Sequence, residues 1–285
     1  MANPGSGAQL SRSEYETAYG KFAALTSEGR TSAGTGSEGK DSVPTVLMIH
    51  STGTSKRLFA DVIERLPEFR CIAVDILGHG DSDRPPFEFS VPDHGTSLID
   101  LVERIRRGRE PILVASCSFG AVLTIELASR APRLVSGILV NGAPGWHLES
   151  QRMARLRPFW DALLDGNGMP RPGIEMGGTV IDVSQSEHEA RQEDVRKAGR
   201  WLLNSAWGVC AYDIVARLPR IKAVTTILMG SHDGHLPTSY TLADGIDGAV
   251  HEVVPNAGHL LPYDQPQRFA DAVRALWKRV LDRKE

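Results

Sequence analysis

Cysteine is scarce in this 285-residue chain: there are three, Cys71, Cys117 and Cys210. An odd, low count builds no complete disulfide framework, so a reducing, cytoplasmic setting is expected. An excess of one charge is also missing. The net charge of -3 gives no electrostatic grip on nucleic acid or an anionic membrane, so neither is expected as a partner. No apolar run is long enough to span a bilayer. Residues 1–7 lack the basic start and apolar core of a secretory leader, so none is expected there. There are no internal repeats. Aromatics make up only 6% of the chain, and four of the five tryptophans (Trp146, Trp160, Trp201, Trp207) lie in one stretch.

What the chain does contain is an alternation of short apolar runs with amphipathic segments. Thr45–Ile49, Cys71–Val74, Pro111–Val114, Leu134–Val140, Val224–Met229 and Val250–Val254 read as strands. Their continuous apolar character suits parallel strands covered on both faces. Lys56–Leu66, Ser97–Arg107, Ala121–Ala128, Thr238–Ala243 and Pro266–Leu281 read as helices. This order predicts βαβ units and a mostly parallel sheet with helices on both faces. The alternation stops after Asn141, and residues 144–210 read as an inserted helical lid, with helices over Gln151–Leu164 and Glu187–Ala206. The expected division is a core of residues 43–143 and 211–285, the lid, and a partly disordered N-terminal segment, 1–42. Within that segment Ser13–Leu25 fits either a short helix or a hairpin.

The chemistry is concentrated at Ser116-Cys117-Ser118-Phe119-Gly120, between a predicted strand and a predicted helix. A serine on such a turn, with small residues two before and two after, has the form of a nucleophile elbow. That spacing selects Ser118 over Cys117, which Phe119 would crowd. A serine hydroxyl needs a base, and a histidine base needs a carboxylate to orient it. Two late loops supply them: Gly230-Ser231-His232-Asp233 after one strand, and Asn256-Ala257-Gly258-His259 after the last. Ser118, Asp233 and His259 are therefore the expected catalytic residues, converging on the carboxyl edge of the sheet. His232 and His235 flank Asp233, but they share a loop whose acid already has a role. No metal site and no cofactor are expected.

Over roughly residues 43–285 the chain resembles the α/β-hydrolase superfamily. The resemblance rests on the elbow, His50-Ser51-Thr52-Gly53, Asp75-Ile76-Leu77-Gly78-His79-Gly80-Asp81-Ser82, Gly230 to Asp233, and Gly258-His259 before Pro262. It implies the α/β-hydrolase fold and an oxyanion hole made by the backbone N–H of Phe119 with that of Thr52 or, second, Ser51. Trp146, His50 and Leu260 are expected near a small, apolar acyl substrate, while His50 and His79 also suit turn-bracing. The chain departs from the family where Ser116 replaces the first elbow glycine and Ser51 follows His50. The Ser-x-Ser-x-Gly form is similar in its short motifs to bacterial 3-hydroxyacyl transferases. The leading expectation is a serine hydrolase cleaving a carboxylic ester or related acyl compound through an acyl-enzyme. Still open are an acyltransferase or thioesterase on a carrier- or CoA-bound acyl group, and a lyase, cyclase or oxygenase using His259 as base. A non-enzymatic binder with an unreactive Ser118 is the remaining rival. Haloalkane dehalogenases and epoxide hydrolases are disfavoured, because their elbow tip is Asp.

Overall fold

A computed structural model describes residues 8–30, 43–108, 110–146 and 185–283, with scattered positions between 153 and 171. Eight strands form one sheet in the order β1-β2-β4-β3-β5-β6-β7-β8. They are β1 (Ser11–Thr17), β2 (Gly20–Ser27), β3 (Thr45–Ile49), β4 (Arg70–Val74), β5 (Ile112–Cys117), β6 (Val135–Asn141), β7 (Val224–Gly230) and β8 (Val250–Val254). From β4 to β8 all neighbours run parallel, while β1 and β2 pair antiparallel with each other and β2 pairs antiparallel with β4. This is the α/β-hydrolase fold.

The undecided stretch at Ser13–Leu25 is therefore a hairpin. It turns at Ala18–Tyr19 between the paired residues Thr17 and Gly20. The sheet begins at Ser11, not at residue 43 where the sequence reading started the core. Strand β1 ends the sheet, and its side chains are polar and largely exposed. Polar edges of this kind blunt strand-to-strand association.

Every residue of β3, β4, β5 and β7 is buried. Alternate side chains feed two cores, because successive strand residues face opposite sides. Leu47, Ile49 and Val114 pack on one face under α2 (Val91–Ile105) and α3 (Phe119–Arg130). Val46, Met48, Leu113 and Ala115 pack on the other, with α1 (Ala60–Glu64) and the closing helix (Pro266–Asp282). A 3₁₀ turn, Lys56–Phe59, leads into α1.

Helix α2 starts about two turns before the expected Ser97. The cause is a capping box: Ser90 Oγ accepts the Asp93 N–H, and the Asp93 carboxylate accepts the Ser90 N–H at 2.9 Å. His94, one residue further on, is buried edge-on against Phe89 and Phe119. Burial pushes its imidazole down to about 4, against the opposing pull of Asp93. The folded chain thus keeps His94 neutral where the unfolded chain takes up a proton. Stability is full above about pH 6.5, the ordinary histidine value, and falls as pH drops toward 4. The expected loss from this group is about 3 kcal/mol across that window. Urea midpoints at pH 7 and 4.5 for wild type and His94→Leu measure it. The variant should show the smaller acid loss; equal losses would refute the assignment.

Between β6 and β7 the described chain is helical: α4 (Gln185–Ala198) and α5 (Trp201–Ala211). The single helix expected over Glu187–Ala206 is broken at Gly199, which has φ +52. Most of the helix expected over Gln151–Leu164, the start of the N-terminal segment and its residues 31–42 lie outside the described residues. After β7 come α6 (Leu236–Gly245), then β8, α7 (Leu261–Asp264) and α8 (Pro266–Asp282). Among the described residues no helix is long and apolar enough to cross a membrane.

Candidate active site

The site is assembled where β5, β7 and β8 end. Strand β5 turns into α3 at Ser118, whose φ of 55° and ψ of -114° are strained for a residue with a side chain. Such conformations cost about 1–3 kcal/mol and persist only where the surroundings enforce them. Here the Ser118 N–H donates to Asn141 O at 2.7 Å, and the Gly120 N–H donates to His50 O at 3.1 Å. Ser118 itself is partly exposed. The two residues before it are locked into the sheet. Cys117 is wholly buried, with its Sγ 3.1 Å from Asn141 Oδ1, and burial holds its thiol protonated, well above the usual range. It is not an available nucleophile. Ser116 is also fully buried, and its hydroxyl donates across the sheet to Leu139 O at 3.3 Å.

Asp233 and His259 meet from separate loops. His259 Nδ1 lies 3.0 Å from Asp233 Oδ2, and both side chains are almost fully buried. The other carboxylate oxygen accepts the His235 N–H at 2.8 Å. The two loops are stitched by backbone bonds from Ser231 N–H to Val254 O and from His232 N–H to Ala257 O, each 2.9 Å. Burial pushes the Asp233 carboxyl up, but the bonds and charges of His259 and His235 outweigh it and hold the group below the usual carboxylate range. An ionised Asp233 accepts the Nδ1 proton of His259 and leaves Nε2 as the basic nitrogen. The ring also sits against Gly142, where an added Cβ would lie 2.7 Å from His259 Cε1. Gly142 follows Asn141, the residue that holds the Ser118 N–H, so this one segment touches both the elbow and the histidine.

The loop after β3 lies beside the elbow. His50 is fully buried; its Nε2 accepts the Ile76 N–H at 2.9 Å, so its proton is on Nδ1, 2.7 Å from Ser51 O. Burial lowers its affinity for a second proton, against the pull of Asp75. His50 therefore braces a turn and presents no surface to a ligand. Leu260 is likewise wholly buried, packed in the core beside α8, and is not a ligand contact. Both corrections have the same origin: neighbours distant in sequence close over these side chains. The N–H groups of Ser51, Thr52 and Phe119 have no hydrogen-bond acceptor among the described residues.

Trp146 is buried beside the dyad, its ring 5.3 Å from that of His235, which in turn lies edge-on 5.3 Å from His259. The sequence reading weighed His235 only as a metal ligand. Burial pushes its imidazole down to about 4, with the charge of His259 acting the same way. His232, by contrast, is exposed. Among the described residues no group of three or more His, Cys, Asp or Glu side chains is spaced to hold a metal ion.

Residues 46–272 match the family model described as the alpha/beta hydrolase family. The chain belongs to this family. It is 26% identical over 250 residues to Lipase LipV of Mycobacterium tuberculosis, covering 81% of this chain and 92% of that one. Among solved structures, it resembles the enol-lactonase of Burkholderia xenovorans, with TM-score 0.73, 16% identity, and 93% and 100% of the two chains covered. It equally resembles haloalkane dehalogenase DbeA of Bradyrhizobium elkani, with TM-score 0.75, 18% identity and 96% and 99% coverage. The α/β hydrolase fold is thus shared by proteins named for different reactions, and the reaction must be argued from the site.

Proposed function

We propose that this α/β hydrolase is a serine hydrolase that cleaves a carboxylic ester or related acyl compound, with Ser118, His259 and Asp233 as its triad. The observation that carries the reading is the 3.0 Å bond between His259 and Asp233 on the sheet edge where Ser118 is held in a strained turn. Ser118 Oγ attacks the carbonyl carbon while His259 Nε2 takes its proton. The N–H groups of Phe119 and Thr52, with Ser51 as the alternative to Thr52, hold the oxyanion. The tetrahedral intermediate expels the alcohol, which takes the proton from His259, and an acyl ester remains on Ser118. Water then attacks this ester with His259 again as base, releasing the acid and restoring the hydroxyl. The inserted helices are the lid over an apolar pocket, with Trp146 on its wall.

Water is favoured over another acceptor. The feature that suggested acyl transfer was the extra elbow serine, and the Ser116 hydroxyl is engaged inside the sheet by Leu139 O. A fluorophosphonate probe should label wild type at one site per chain and leave Ser118→Ala unlabelled. Equal labelling of both would defeat the proposal.

A further inference from the structure

A charge seam, buried at Lys56, Asp75 and Asp194 and open to water at Arg57, Asp81 and Lys197, joins the inserted helices to the loop that carries Thr52. Three consecutive residues after that loop each reach a carboxylate. Ser55 Oγ donates to Asp194 Oδ2 at 2.8 Å. Lys56 Nζ lies 2.6 Å from Asp75 and 2.7 Å from Asp81. Arg57 Nη2 pairs with Asp194 Oδ1 and also donates to Ala190 O at 3.0 Å. Lys197 closes the seam on Asp81 at 2.6 Å. Three basic and three acidic side chains thus balance, and both Asp75 and Asp194 are essentially sealed from water.

Asp194 and Ala190 belong to α4, whereas Ser55, Lys56 and Arg57 belong to the segment leaving the His50–Thr54 loop. The loop from His50 to Ser55 is short and turns at a positive-φ glycine, Gly53. Its inner end is fixed by the His50 bonds and by Gly120 N–H to His50 O. Its outer end has the Ser55 hydroxyl as cap of the 3₁₀ turn, and that hydroxyl is held by α4. Thr52 lies between the two fixed ends. A buried carboxylate is costly unless it is paired and hydrogen-bonded, and here the inserted element supplies the carboxylate and the core supplies both partners.

We infer that Asp194 and Ser55 are positioning residues for the oxyanion loop: α4, through Asp194, clamps Ser55 and so fixes the Thr52 N–H relative to Ser118. The inference rests on the serine-hydrolase reading above. A donor that acts on the developing oxyanion contributes to the transition state more than to substrate binding, so a loosened clamp lowers kcat and leaves KM nearly unchanged. Misplacement of a catalytic group by about 1 Å costs about 100-fold in rate.

The test uses the full chain and two readouts: hydrolysis of p-nitrophenyl butanoate, and the rate and endpoint of fluorophosphonate labelling. Ser55→Ala should lower kcat and the labelling rate constant by about 10- to 100-fold. KM should stay within about threefold, and the labelling endpoint at one probe per chain. Ser55→Thr, which keeps the hydroxyl, should restore the rate. Asp194→Asn, which keeps an acceptor oxygen, should lose less than Asp194→Ala. Adding Ser55→Ala to Asp194→Ala should cost nothing more, because the bond is already gone. A normal rate constant in Ser55→Ala, multiplying effects in the double variant, or a lowered endpoint with an unchanged rate constant would each overturn the clamp. Failure of wild type to label or to hydrolyse would overturn the serine-hydrolase reading itself, and the clamp with it.

Discussion

Ser118→Ala and His259→Ala are each expected to lower kcat by about 10⁶-fold, and the double variant by no more than either. The reason is that the two side chains perform one act. Without His259 the Ser118 hydroxyl keeps its proton and is a poor nucleophile; without Ser118 the imidazole has nothing to activate. Asp233→Asn should cost about 10⁴-fold by a different route. The amide occupies the same space, yet its NH₂ can donate to His259 Nδ1, the atom now 3.0 Å from Asp233 Oδ2. That exchange puts the ring proton on Nε2, where the base needs a lone pair. Hydrolysis of a chain-length series of p-nitrophenyl esters by the four variants measures these ratios. The Asp233→Asn loss should shrink at high pH if hydroxide takes over deprotonation. Effects of Ser118→Ala and His259→Ala that multiply would mean that the two act separately, and a wild-type rate in His259→Ala would remove it as base.

The meeting of the Ser118, Asp233 and His259 loops on one edge of the sheet was legible because backbone topology decides it. Ser118, Asp233 and His259 each follow a strand, and parallel strands end on one edge whatever the side chains do. The central strands were legible because burial on both faces writes an unbroken apolar run. The hairpin at Ser11–Ser27 was not, since β1 is an edge strand whose two faces are both polar and carry little alternation. The start of α2 was available in Ser90 and Asp93, a local capping signal that the apolar stripe from Leu98 overshadowed. Side-chain surroundings were the least legible. Leu260 looks like a site residue because it follows His259, but it packs into the core with Phe269 and Val273. The edge-on contact of Trp146 with His235, and the bond from Ser55 to Asp194, join segments with no shared pattern along the chain.

Gly120→Ala is expected to have the largest effect on folding of any single methyl addition at the elbow. A Cβ on Gly120 would lie 2.2 Å from Ile49 O and 2.5 Å from His50 O. Both obstacles are backbone, so no rotamer change relieves them. The φ of Gly120 is not in the left-handed region, so the demand for glycine is purely steric: α3 crosses the end of β3 in contact with its carbonyls. Relief would require prising α3 from β3, which also breaks the 3.1 Å bond from Gly120 N–H to His50 O. A loss of about 4 kcal/mol or more fits this class of core clash, lowering Tm by about 10 °C or preventing folding. Gly234→Ala is the matched control. A Cβ there meets nothing within 4 Å, so its Tm should change by about 1 °C or less. A Gly120→Ala protein melting with wild type would show that the elbow has slack. The same geometry explains the departure at the other end of the motif. Ser116 lies inside β5, paired between β3 and β6, and its hydroxyl reaches Leu139 O, so the first elbow position has room for a side chain that the third lacks. Small size at the two flanks of Ser118 therefore answers two separate constraints, and only the one at Gly120 is absolute.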